Sequence, residues 1–71
     1  MKDFKSQAPR EILLRLPDVM QRVGLSRSAI YAEISEGEFP RPVRLTKRAV
    51  AWPASAIDAW ITARVAAGTE R

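Results

Sequence analysis

The stretch Val23 to Glu36, VGLSRSAIYAEISE, constrains this chain most, because one helix must stop and another start within a few residues. Gly24, Leu25 and Ser26 form the tight connection. Ser26 is a preferred N-cap, since its hydroxyl can accept from a free amide one turn into the next helix. The helix it opens is predicted over Arg27 to Ser35. Ile30 and Ile34 stack on one face, joined there by the incoming Leu25. Ser28, Ala32 and Ser35 point the other way, with Arg27 and Tyr31 on the flank. That outward face is short and polar, carries no acid in its first two turns, and is small enough to enter a DNA major groove.

Upstream, Glu11 to Leu16 (EILLRL) is too short for a useful helix and reads as a short strand or extended lead-in. Pro17 suits the first helical position, where its missing amide costs nothing. Leu16, Val19, Met20 and Val23 then make one apolar stripe, with Asp18, Gln21 and Arg22 facing water. Asp18 in the first turn suits the helix dipole, and Gly24 stops the helix as a left-handed C′ residue would. Two helices this short cannot be stable alone, so they must pack across each other and a third element must close the core. The order is that of a helix-turn-helix, a bracing helix followed by an exposed reading helix. It also fits an ordinary helical hairpin in a protein-interaction domain.

Downstream of Ile34 the chain changes character. Gly37 fits another C′ position, and Phe39 can fold back onto the core. Pro40 and Pro42 enforce extended backbone. Val43-Arg44-Leu45 and Val50-Ala51-Trp52 alternate as strands, and Thr46 to Ala49 suits a four-residue hairpin loop. Val43 and Leu45 are expected to face inward with Val50 and Trp52, leaving Arg44, Lys47 and Arg48 outside. Two strands are marginal alone, so the hairpin must lean on the helices. Ser55 with Asp58 reads as a capping-box start to a last helix over about Ser55 to Ala66, with Trp60 plugging the core. Met1 to Arg10 is expected to be a mobile tail, and Gly68 to end the order before a frayed Thr69 to Arg71.

The fold class that follows is mainly α with a small β-hairpin, a winged helix-turn-helix spanning residues 11–67 in the order short strand, helix, helix, strand, strand, helix. A chain of 71 residues allows one small domain. It has no cysteine and no histidine, which removes disulfides, thiolate metal sites and the commonest general base. The eight acidic residues are scattered, with no spaced pair of the kind a glycosidase needs. No enzyme activity, cofactor or metal is therefore expected. No apolar run reaches the length of a membrane span and the N-terminus lacks a signal-peptide core, so a cytoplasmic protein without a membrane partner is expected.

Twelve Lys and Arg against eight Asp and Glu give a net charge of +4, which favours a polyanionic partner. The distribution is more telling than the total. Arg41, Arg44, Lys47 and Arg48 fall within eight residues that contain no acid. These cations can neutralise phosphates and release counterions, giving affinity with little sequence information. A basic cluster can equally be a solvated loop. Arg27 can pair with guanine O6 and N7 or with a phosphate, while Ser28, Tyr31 and Ser35 offer hydroxyls. Tyr31 borders the apolar face, so partial burial and DNA contact both remain open. Ser26 reads first as a cap, with the amides at this helix start available to a phosphate. Trp52 and Trp60 can stack on bases in principle, but their Ala, Val and Ile neighbours favour core packing.

The order of motifs is similar throughout to AlpA-type phage transcriptional regulators, which belong with the MerR-like and excisionase-like winged-helix proteins. GLSRSAIY (Gly24 to Tyr31), GEFPRPVRL (Gly37 to Leu45) and AVAWPASAIDAWI (Ala49 to Ile61) carry the resemblance, which covers about Ile12 to Ile61. It implies a prophage- or mobile-element-encoded regulator that binds double-stranded DNA, with reading-helix positions at Arg27, Ser28 and Tyr31 and wing cations at Arg44, Lys47 and Arg48. The family's wing loop usually carries glycine. Here it is Thr46-Lys47-Arg48-Ala49, which must avoid positive φ or accept strain.

The leading expectation is sequence-specific control of prophage or mobile-element transcription. An excisionase that bends attachment-site DNA would use the same contacts, and a protein-interaction adaptor would not need them. So small a domain reads few base pairs, so weak self-association or cooperative binding on DNA is expected, with RNA polymerase or integrase as candidate protein partners.

Overall fold

A computed structural model describes residues 11–68; the expected tail (1–10) and frayed end (69–71) lie outside the described residues. The elements follow the predicted order: β1 (Leu13–Leu14), α1 (Leu16–Val23), α2 (Arg27–Ser35), β2 (Val43–Arg44), β3 (Val50–Pro53) and α3 (Ala54–Gly68). The lead-in resolves as a strand. It pairs antiparallel with β3, Leu13 opposite Pro53 and Leu14 opposite Trp52. With β2 on its other side, β3 is the centre of a three-stranded antiparallel sheet. Among the described residues no helix is long and apolar enough to cross a membrane.

Local chemistry explains each helix end. The Arg15 carbonyl accepts from the amides of Asp18 (3.0 Å) and Val19 (3.1 Å), so Pro17 occupies a position whose missing N–H is not needed. Gly24 at φ 71° closes α1, its amide donating to the Met20 carbonyl at 2.8 Å. Ser26 Oγ accepts from the Ala29 amide at 3.1 Å and opens α2. At the far end of α2 the Gly37 amide donates to Ile34 (3.0 Å) and the Glu38 amide to Glu33 (2.8 Å). With Gly37 at φ 74°, this is a Schellman motif, and it turns the chain so that Phe39 drops into the core.

That core consists of Val19, Ile30, Trp52 and Ile57, all fully buried, with Leu14 and Phe39 nearly so. One residue from each of three helices and one from the sheet therefore meet at a point. Trp52 also donates its indole Nε1–H to the Pro40 carbonyl at 2.9 Å, which ties the extended link after α2 to the central strand.

Four expectations need correction. Trp60 is not the plug; it is half-buried at the core's edge, its Nε1 donating to the Glu38 carbonyl at 2.8 Å. Its ring meets Phe39 edge-on, centroids 4.9 Å apart, and an indole with a polar edge suits such a boundary. Val43 and Leu45 do not face inward but are 42% and 43% exposed. The register puts Val43 opposite Ala51 and Arg44 opposite Val50, so Val43 lies on the face of the sheet away from Val50 and Trp52, and Leu45, two residues on, follows it. The capping box does not form. Glu11 takes that role, accepting from Ser55 Oγ (2.8 Å) and the Ser55 amide (3.3 Å), because β1 runs beside β3 and delivers its carboxylate to the start of α3. Asp58 instead pairs with Arg22 at 3.4 Å, so Arg22 is exposed without being unpartnered. Finally, α3 is longer than expected and still helical at Gly68.

Trp52→Ala is expected to cost about 3–5 kcal/mol, enough to leave so small a domain largely unfolded, whereas Trp60→Ala should cost clearly less. Urea unfolding of both variants measures the order. A Cβ at Gly24 or Gly37 would meet nothing within 4 Å, so alanine there meets only backbone strain. Each substitution should lower stability by about 1–2 kcal/mol in the same assay.

Candidate nucleic-acid interface

Helix α2 buries Ile30 and leans Leu25 and Ile34 on the core, which fixes what it shows to solvent. Ser26, Arg27, Ser28, Tyr31, Ala32 and Ser35 are all exposed. Tyr31, at 39% exposure, is thus a surface residue and not part of the core. It lies one turn from Arg27, whose guanidinium carbon sits 5.8 Å from the Tyr31 ring centroid. That is within reach of a cation–π contact and holds the guanidinium against the helix surface. The one acid of α2, Glu33, faces α3, where it pairs with Arg64 at 3.7 Å. The outer face is left without negative charge.

The second group lies on and before the hairpin. Arg41, Arg44, Lys47 and Arg48 are exposed, and none has a carboxylate within salt-bridge distance among the described residues. The loop that carries Lys47 and Arg48 is closed without glycine and without strain, since no non-glycine residue has positive φ. The Ala49 carbonyl accepts from the amides of Leu45 (2.8 Å) and Thr46 (3.2 Å). Thr46 Oγ1 in turn accepts from the amides of Arg48 (3.2 Å) and Ala49 (3.1 Å). The threonine hydroxyl thus does by hydrogen bonding what glycine does by conformational freedom.

All eight site residues expected from the sequence are therefore at the surface. Arg27 and Tyr31 are in contact. No hydrogen bond, ion pair or ring contact joins the α2 group to the hairpin group among the described residues. Two further residues take their roles from the geometry. Thr46 sets the loop, and its signal in the sequence was a threonine opening a turn that lacks glycine. Glu11 caps α3 from 44 residues away, a pairing no local pattern announces. A separate apolar groove of about 380 Å³ lies between α1, α2 and α3, lined by Val23, Leu25, Trp60, Ile61 and Val65 and rimmed by charged side chains.

Residues 12–65 match the model of the family described as prophage CP4-57 regulatory protein (AlpA). An uncharacterised protein of Enterobacteria phage P4, ORF88, is 49% identical over 57 residues, which cover 80% of this chain and 65% of that protein. The chain thus spans a little under two thirds of that relative's length. A protein of Escherichia coli K12, described as the DNA-binding transcriptional activator AlpA, is 33% identical over 58 residues, covering 73% of this chain and 83% of its own.

Because Ser26 both caps α2 and stands at its exposed start, its two possible roles separate by substitution. Ser26→Ala should cost about 1 kcal/mol of stability and Ser26→Gly only a few tenths, measured by urea unfolding. No loss of stability in Ser26→Ala would mean that the hydroxyl is not the cap.

Proposed function

Since the chain belongs to the family of the prophage regulatory protein AlpA, we propose that it is a sequence-specific double-stranded DNA-binding regulator of prophage or mobile-element transcription, acting in the cytoplasm. Residues 11–67 are the DNA-binding domain. The E. coli relative named as a DNA-binding transcriptional activator supports this reading. The observation that carries it is the exposure of Arg41, Arg44, Lys47 and Arg48 with no carboxylate in salt-bridge range among the described residues.

The two groups divide the labour by their chemistry. The start of α2 enters the major groove, where Arg27 reads a guanine edge and Ser28 and Tyr31 offer hydroxyls to bases or phosphates. Ser26 contributes through the free amides it leaves at the helix start, which favour a phosphate. Arg41, Arg44, Lys47 and Arg48 grip the flanking backbone and fix register without reading sequence. A domain this small contacts few base pairs, so occupancy of an operator depends on repeated sites and cooperative binding between copies, with RNA polymerase or integrase as protein partners.

A salt titration on a cognate duplex tests the reading. Log K should fall linearly with log salt at about 0.9 per phosphate contact, and Lys47→Ala should reduce that slope by about one contact for cognate and random duplex alike. Arg27→Ala should cost about 1–3 kcal/mol on the cognate site and much less on random sequence. A response flat in salt contradicts the proposal.

A further inference from the structure

The hairpin loop presents Lys47 and Arg48 at the end of a two-strand ribbon, and the tightest hairpin loops use a glycine or asparagine in the left-handed region. This one has neither, yet no residue in it has positive φ. Its backbone is closed from two points. The Ala49 carbonyl gathers the amides of Leu45 and Thr46. The Thr46 hydroxyl oxygen gathers those of Arg48 and Ala49 at 3.2 and 3.1 Å. Only the Lys47 amide lies between the two clamps, so Lys47 is carried at the tip of a ring of hydrogen bonds.

We propose that Thr46 is a positioning residue for DNA binding: its hydroxyl fixes the loop before DNA arrives, so that Lys47 and Arg48 meet phosphates without first being ordered. This rests on the DNA-binding reading above and adds a residue that need not touch DNA. The physical cause is entropic. A loop that must be ordered during association loses backbone freedom at that moment, and binding weakens by the corresponding amount. The number of phosphate contacts is unchanged, because the cations remain. Thr46 therefore differs from Lys47 in a measurable way: its loss lowers affinity at every salt concentration and leaves the salt slope alone.

The full chain with Thr46→Ala, Thr46→Ser, Lys47→Ala and the Thr46→Ala/Lys47→Ala double variant, titrated with a random-sequence duplex whose phosphates the loop cations meet whatever the bases, makes the test. Thr46→Ala should weaken binding roughly five- to twentyfold at constant slope, the cost of ordering about one residue's backbone on association. Thr46→Ser, which keeps the acceptor, should bind within about twofold of wild type. The double variant should lose less than the product of the single losses, because a disordered loop has already forfeited part of what Lys47 contributes. In the free protein, amide exchange of Arg48 and Ala49 should speed up in Thr46→Ala by more than exchange elsewhere in the domain. Multiplicative losses would mean that Thr46 acts independently of the loop, and wild-type affinity in Thr46→Ala would overturn the inference while leaving the DNA-binding reading intact. Failure of the wild-type protein to bind any duplex would remove both.

Discussion

Trp52 is the group on which the rest of the molecule depends. It sits in the central strand, its partner across β1 is Leu14, and its ring packs with Val19, Ile30 and Ile57, one residue from each helix. Its indole N–H reaches the Pro40 carbonyl, so the same side chain that fills the core also fastens the link between α2 and the hairpin. A domain of this size buries too little surface for any one element to stand alone. Joining three helices and a sheet at one large aromatic residue is how it gains cooperativity. The position of α2 and the direction of the hairpin are both consequences of that single packing centre.

Around this centre the charges are sorted. The acids whose partners are defined are used for structure: Glu11 caps α3, Asp58 meets Arg22, and Glu33 meets Arg64. These exposed pairs contribute little stability, about 1 kcal/mol or less each. Their larger effect is placement, since they draw negative charge toward the α3 side. The outer face of α2 and the hairpin are left with uncompensated cations and hydroxyls. A net charge of +4 alone would say little about where a polyanion binds; the asymmetry says more.

Much of this was legible in the residues, for reasons that are local. Gly24, Ser26 and Gly37 mark helix ends because left-handed backbone and hydroxyl caps are short-range requirements, and the structure places all three as those requirements demand. What the sequence concealed is non-local. Trp52 and Trp60 both have alanine and a branched aliphatic residue close by along the chain, and the sheet order decides that the first is enclosed. Val43 and Leu45 alternate as a core-facing strand would, but register across the loop sets their face, and a shift of one residue inverts it. The Ser55–Asp58 spacing resembles a capping box, yet β1 delivers a carboxylate from the other end of the chain. In the proposed interface, residue identities were readable from type and spacing, while Thr46 appeared only once the loop's hydrogen bonds were in view.

Under the proposed function, this packing centre presents the outer face of α2 and the cationic loop together to a duplex. Backbone amide shift mapping of the labelled protein, titrated with cognate duplex DNA, tests it most directly. Shifts concentrated at residues 26–31 and 41–49, with the Trp60–Ile61 groove unchanged, are the predicted result. Perturbation centred on that groove, with Arg27 and Lys47 silent, would place the duplex elsewhere and rule this arrangement out.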